Sequence, residues 1–477
     1  MKLEALRVTN PYLSLPGECH DPVTITPLKA PYLLHANATA AALVDIDAAE
    51  LVRPEFVAYM NGERLFEGAE PFAMCYAGHQ FGYFVERLGD GRAVNIGSRN
   101  GWHMQLKGAG KTAYSRHGDG RAVLRSSIRE YLASEAMNAL GVPTTRVMAV
   151  LGSRQQVYRD MDWEEGAMVC RLSPTWVRFG TFEYFAKKGK HDELEAVAHY
   201  ALKENYPHLA KRGDAIEAMF AETVKRTAEL IAQWMALGFT HGVMNTDNMS
   251  IAGLTIDYGP YGFLDAFDGD YVPNRTDTYG RYRFKAQPAV AEWNLKALLD
   301  ALSPVADISA MEAALAEFWR YYTHAYEAQM AQKLGLASFE KEDAALLKQL
   351  LDVMQALRID YTRFFYLLRG YEREREALLA LGLYHRPLHD WLDAYDARIA
   401  GEDAAARTAR MARANPAYIP RAYMLQEAID AAHRGDKSVL AALFDVLSSP
   451  FELREGYERW AEPTPEYLRN TKLSCSS

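Results

Sequence analysis

"THGVMNTDNMSIAGLTIDYGPYGFLDAF", Thr240–Phe267, is a non-helical island in a half of the chain that otherwise reads as helix. Before it runs "DAIEAMFAETVKRTAELIAQWMALGF", Asp214–Phe239, with the three- and four-residue apolar spacing of an amphipathic helix. After it, helical segments follow one another from 286 to 447. Within the island, His241 is followed seven residues on by Asn248, and nine further on comes Asp257-Tyr258-Gly259 behind the apolar strand "LTI". Asp247 stands immediately before Asn248. A carboxamide and a carboxylate on either side of a short strand are oxygen donors of the kind that hard cations take.

Upstream, residues 83 to 172 are strand-rich. "AVNIGS" and "WHMQLK" read as a hairpin around "RNG", and "TTRVMAVLGS", "QQVYRD" and "AMVCRL" as three more strands. One helix interrupts them, "RAVLRSSIREYLASEAMNALG", stopped by Gly141 and Pro143. A five-stranded lobe with one helix, then a helical lobe holding a loop-strand-loop insertion, predicts an α+β, protein-kinase-like two-lobed fold rather than a doubly wound sheet. The expected divisions are an N-terminal extension (1–70), a strand-rich lobe (71–177), a helical lobe (178–390) and a C-terminal helical extension and tail (391–477).

That fold places a lysine on the third strand, a glutamate on the following helix, and metal-holding Asn and Asp in a loop. Lys107 ends the second strand of the hairpin. Glu130 and Glu135 are both available on the helix; Glu135 falls on the apolar stripe of Leu124, Ile128 and Leu132 and Glu130 off it, and pattern does not choose between them. Asn248 and Asp257 have the spacing of the metal ligands. The proton acceptor of a kinase lies two residues after the histidine, and here that position is Val243; the nearby carboxylate is Asp247 instead.

"LKGAGKT", Leu106–Thr112, has the tail of a phosphate-binding loop in Gly110, Lys111 and Thr112, but Gln105 stands where its first glycine belongs. The better glycine-bearing candidate is "LGDGRAV", with Gly89, Gly91 and Arg92, where backbone can approach phosphate and a guanidinium can clamp it. A second "GDGR", Gly118–Arg121, containing Asp119 and Gly120, precedes the helix. Arg171 and Arg178 close the strand-rich lobe.

With 477 residues, 49% of them hydrophobic, the chain has ample length for a large core. Its net charge of −9 argues against a nucleic-acid binder while leaving room for a small basic pocket. Cys19, Cys75, Cys170 and Cys475 have no zinc or C-x-x-C spacing, which suits a reducing compartment. Cys75 and Cys170 are expected to be buried, and Cys19 to sit in a polar loop after "LPGE". No secretory signal or membrane-length apolar run is present, so a cytoplasmic protein without membrane contacts, and a monomer, is expected.

"AGHQFG", "LGDGR", "LKGAG", "SRHGDGRAVLRSSIREYLASEA", "HGVMNTDNMS" and "DYGPYGFLD" together resemble the selenoprotein O family of pseudokinases, most closely between about 70 and 300 and over nearly the whole chain to "SCSS". The resemblance implies a kinase fold that binds ATP in an inverted orientation and transfers AMP to protein hydroxyls on Ser, Thr or Tyr. It implies Gly89, Gly91, Arg92, Lys107, Asp119, Gly120, Arg171, Arg178 and Asp257 at the nucleotide. It also implies Asp247 as proton acceptor, Asn248 and Asp257 on Mg²⁺ or Mn²⁺, and Glu130 as the partner of Lys107. Lys111 is outside the family's motif positions. UMP transfer from UTP with Mn²⁺ is an open alternative. So are a non-catalytic nucleotide-binding scaffold and a conventional phosphotransferase; Val243 weighs against the last. At Cys475 the family carries selenocysteine or cysteine, which implies a redox role for the tail; this thiol is expected to be dispensable for transfer.

Overall fold

A computed structural model describes residues 1–159 and 162–469; Cys475 lies outside the described residues. The N-terminal segment supplies both edges of one antiparallel sheet, β1 (His20–Pro22) and β2 (Tyr32–Ala36), and then two short helices, α1 (Ala38–Leu43) and α2 (Pro54–Met60). β3 (Phe72–Met74) enters the sheet. β4 (Gly78–Gln80) and β5 (Tyr83–Val85) pair only with each other, as a hairpin outside it. β6 (Ala93–Arg99) and β7 (Trp102–Lys107) form the hairpin expected around "RNG". Asn100 and Gly101 turn it at φ +52° and +76°, the left-handed pair that a two-residue turn between twisted strands needs. β8 (Ala122–Val123) leads into α3 (Leu124–Ala139), and β9 (Arg146–Arg159) and β10 (Asp162–Ser173) complete the sheet. Its order is β1-β3-β6-β7-β10-β9-β2, with β8 against β10.

The strands expected at "TTRVMAVLGS" and "QQVYRD" are a single strand, β9. The Gly152-Ser153 break is absorbed by a register shift, with Glu165 opposite Gln156 but Gly166 opposite Ser153. Gly152 is there for packing rather than turning, since a Cβ on it would lie 2.5 Å from the Tyr32 ring. Alternation along β10 sends Ala167 and Val169 to the core shared with α3, and Met168, Cys170 and Leu172 to the core under the N-terminal segment. Arg171 therefore leaves the sheet on the α3 side. Cys19 departs from expectation: it is fully buried, and its thiol is pushed up to about 12 by burial.

The helical lobe begins with α4 (Phe179–Lys187), α5 (His191–Asn205) and α6 (Ala215–Leu237). Next come the island's two short strands, β11 (Phe239–Thr240) and β12 (Gly262–Phe263), paired antiparallel, and α7 (Gln287–Leu302). Helices α8 (Ile308–Ala316), α9 (Phe318–Leu334), α10 (Asp343–Leu357), α11 (Tyr361–Leu368), α12 (Tyr371–Leu381), α13 (Arg386–Ile399) and α14 (Ala404–Ala414) build outward. α15 (Ala422–His433) and α16 (Ser438–Leu447) then return to α3. Among the described residues no helix is long and apolar enough to cross a membrane.

That return explains why the helical pattern of α3 could not choose a glutamate. The helix is covered by the sheet on one side and by α15 and α16 on the other, so both Glu130 and Glu135 are buried. Tyr131 stacks on Phe444 with centroids 5.3 Å apart and holds His35 Nδ1 at 2.6 Å. Glu135 receives Arg146 Nη2 at 2.7 Å and the Val147 amide at 3.0 Å, tying α3 to β9. Removing one member of such a buried pair leaves an uncompensated charge. Glu135→Ala should therefore destabilise the fold by about 3–5 kcal/mol in chemical denaturation. Lys348→Ala, which breaks an exposed pair with Asp352, should change stability by less than about 0.5 kcal/mol. Equal effects would refute the assignment of Glu135 as an anchor of α3.

Candidate active site

A cavity of about 770 Å³ lies between the lobes. Gly89, Gly91, Arg92, Lys107, Asp119, Gly120, Arg171, Arg178, Asp247, Asn248 and Asp257 all line it, so every site residue expected from the sequence is brought to one place. Lys111 is exposed and is not among the lining residues.

The cavity floor is a buried charge network. Lys107 Nζ is 2.6 Å from Glu130 Oε2, and Arg171 Nη1 donates to Glu130 Oε1 at 2.8 Å, so Glu130 rather than Glu135 is the partner of the strand lysine. The same Arg171 nitrogen donates to Asp257 Oδ1 at 2.5 Å, and Arg178 Nη1 to Asp257 Oδ2 at 2.7 Å. Three cations thus share two carboxylates. Burial alone would raise the Asp257 carboxyl, but Arg178, Arg171 and Lys107 outweigh it and hold it well below the usual range. Asp257 adopts a left-handed φ of +56°, a conformation costly for a non-glycine residue and kept here by its two arginines. Each arginine is backed by an aromatic face, Arg171 by Trp176 and Arg178 by Tyr76, both 4.6 Å from the ring centroid. Arg92 lines the cavity with no carboxylate partner among the described residues.

On the helical-lobe side, Asp247 is 8% exposed, and burial pushes its carboxyl up to about 7. Val243, in the kinase base position, is buried and apolar. Asn248 Nδ2 donates to the Val243 carbonyl at 2.9 Å, which fixes the amide and leaves its Oδ1 without a protein donor among the described residues. His241 is structural. Its Nε2 lies 2.9 Å from the Ile256 carbonyl, its ring stacks on Trp234, and burial lowers its pKa. Asn248 and Asp257 suit a small hard cation that takes one or two protein oxygens and the rest from phosphate and water. Among the described residues no cluster of three or more His, Cys, Asp or Glu could hold a metal.

The two "GDGR" copies are put to different uses. In the first, Gly89 has φ +68° and a Cβ there would lie 2.2 Å from the Tyr114 ring, so glycine is obligatory. The Asp90 carboxylate accepts the Met74 amide at 3.0 Å and Asn95 Nδ2 at 3.1 Å, which leaves Arg92 to face the cavity. In the second, Arg121 Nη1 donates to the Gly108 carbonyl at 3.1 Å, bracing backbone. Asp119 pairs with Arg159 (Nη1 to Oδ2, 2.9 Å) and accepts the Arg121 amide at 2.9 Å. A Cβ on Gly120 would lie 2.0 Å from the Gly110 carbonyl oxygen. The glycines of "LKGAGKT" thus serve chain packing, not a phosphate cradle.

Sequence reasoning missed four contributors. Gln105, noticed only as a misfit in the phosphate-loop pattern, accepts from Arg171 Nη2 and donates to Asp90 at 3.4 Å, joining the network to the glycine loop. Arg159 and Asp90 carried no motif signal beyond their neighbours. Gln80, inside "AGHQFG", reaches Asp247 from the other lobe. Because Lys107 contacts the network and Lys111 faces solvent, Lys107→Ala should weaken ATP binding about 10- to 100-fold, the scale of a lost charge-assisted contact. Lys111→Ala should leave it unchanged in titration calorimetry, and the reverse order would reinstate the phosphate-loop reading.

Residues 2–448 match the family described as Protein adenylyltransferase SelO. The chain is 44% identical to the Protein nucleotidyltransferase YdiU of Thiobacillus denitrificans over 487 residues, covering 100% of this chain and 99% of that protein. It is 44% identical to the YdiU protein of Myxococcus xanthus (100% and 99%) and 43% to that of Pseudomonas aeruginosa (100% and 99%). The chain belongs to the SelO family of nucleotidyltransferases.

Proposed function

We propose that the protein transfers AMP from ATP to Ser, Thr or Tyr hydroxyls of other proteins and releases pyrophosphate. The observation that carries this reading is that a relocated carboxylate, Asp247, lines the same cavity as the cationic floor, with Arg178 Nη1 donating to the Asp247 carbonyl at 2.9 Å. In the proposed reaction the acceptor oxygen bonds to the α-phosphorus, the bond from that phosphorus to the pyrophosphate oxygen breaks, and Asp247 takes the hydroxyl proton. Charge grows on the departing pyrophosphate, so fixed positive charge is needed where the β- and γ-phosphates sit. Arg92, Lys107, Arg171 and Arg178 supply it without reorganisation, since Lys107, Arg171 and Arg178 are already held by Glu130 and Asp257.

Gly89 and Gly91 let backbone approach the nucleotide, while Asp119 and Gly120 form the rim toward which its base would lie. Asn248 and Asp257 are the residues that would hold Mg²⁺ or Mn²⁺, which when bound screens phosphate charge and fixes phosphate geometry. A carboxyl whose pKa burial brings close to neutrality suits general-base work. A phosphotransferase reading is disfavoured by Val243, which has no proton-accepting atom. A pure scaffold would need no metal ligands, so the retained Asn248 and Asp257 weigh against that reading.

With ATP labelled at either the α- or the γ-position, protein should acquire the α-label and not the γ-label. Gamma-label on protein would establish phosphotransfer instead, and neither label would favour the scaffold. Asp247→Asn keeps shape and removes the base, so transfer should fall about 10²- to 10⁴-fold while ATP affinity holds. A parallel loss of affinity would make Asp247 part of nucleotide binding rather than the base.

A further inference from the structure

The β4–β5 hairpin is held by the catalytic loop rather than by the sheet. Three consecutive hairpin residues meet three consecutive loop residues. The His79 amide donates to Thr246 Oγ1 at 2.7 Å, Gln80 Nε2 to Asp247 Oδ2 at 3.4 Å, and the Phe81 amide to Asn245 Oδ1 at 3.2 Å. From behind, Glu183, 2% exposed, accepts Thr246 Oγ1 at 2.7 Å and pairs with His79 Nδ1 at 2.9 Å. Gly78 lies flat on Asp247: a Cβ there would be 2.9 Å from Oδ1, an oxygen that is buried and has no hydrogen-bond partner among the described residues. One carboxylate oxygen is thus covered by Gly78, and the other carries the Gln80 amide.

Resting on the AMP-transfer reading above, we propose that Gln80 is a positioning residue that caps the Asp247 carboxylate until an acceptor hydroxyl displaces it, so that the base serves protein hydroxyls in preference to water. A 3.4 Å contact is at the weak end of hydrogen bonding, whereas a hydroxyl on a carboxylate forms a short, strong bond. An acceptor protein brings binding energy from its remote contacts to drive the exchange, and a water molecule brings none. Without the amide, water occupies the hydroxyl position. Its oxygen then bonds to the α-phosphorus, the bond to pyrophosphate breaks, Asp247 takes the water proton, and the products are free AMP and pyrophosphate.

The test counts both products from α-labelled ATP, free AMP and protein-bound AMP, with casein as a flexible acceptor. Gln80→Ala removes the side chain, and Gln80→Met keeps its length without an N–H. In both, the ratio of free to bound AMP should rise about two- to tenfold, the scale of one lost hydrogen bond of ordinary net strength. A merely structural role would lower both products together, and that result, or an unchanged ratio, would overturn the proposal. A rise in Gln80→Ala alone would assign the effect to lost volume and overturn the role of the amide. If wild-type protein yields neither labelled product, the AMP-transfer reading itself fails, a result distinct from failure of the cap.

Discussion

Arg171 is the residue on which the rest of the site hangs. Its guanidinium is 2% exposed and joins Glu130 of α3, Asp257 of the island and Gln105 of the central strand, three elements from both lobes. A buried charge of this kind is stable only when every partner is in place, because losing one leaves an uncompensated ion at a cost of about 3–5 kcal/mol. The network is thus all-or-none. The seating of α3, the left-handed turn at Asp257 and the direction of Lys107 are set together. α15 and α16 cover the outer side of α3, where Tyr131 stacks on Phe444, so the helix that carries Glu130 is held from both sides.

The same network bears on the proposed chemistry. A carboxylate pair that neutralised every cation would leave little field for a departing pyrophosphate. Here three cations share two carboxylates, and Arg92 adds a guanidinium without a carboxylate partner. With Val243 in place of the usual base, the proposed proton acceptor is Asp247, beside Asn248, and a hairpin of the other lobe rests on it. Asp247 and the cationic floor line a single cavity, which suits the proposed in-line displacement at the α-phosphorus.

Much of this was legible in the chain. The His241, Asn248 and Asp257 spacing, the change from strand-rich to helical at about 178, and the Asn100-Gly101 turn each rest on local rules, and local rules survive tertiary packing. What was not legible depended on partners distant in sequence. Gly152-Ser153 resembles a turn unless β2 and β10 are known to flank it. Glu130 and Glu135 cannot be ranked by helical periodicity when both sides of the helix are covered. Cys19 follows a polar segment yet is buried, its carbonyl accepting the Cys75 amide at 3.0 Å. The two "GDGR" copies are identical in letters and both arginines line the cavity, and only their neighbours decide that the Arg121 guanidinium is taken up by the Gly108 and Pro27 carbonyls.

The central claim is that the cationic floor receives the β- and γ-phosphates while the α-phosphorus faces Asp247. A crystal structure with a non-hydrolysable ATP analogue and Mg²⁺ tests it most directly. The account predicts the α-phosphorus as the phosphorus nearest the Asp247 carboxylate, with the terminal phosphate against Arg92, Lys107, Arg171 or Arg178. A complex with the γ-phosphorus nearest Asp247 and the base held deep among those cations would contradict it.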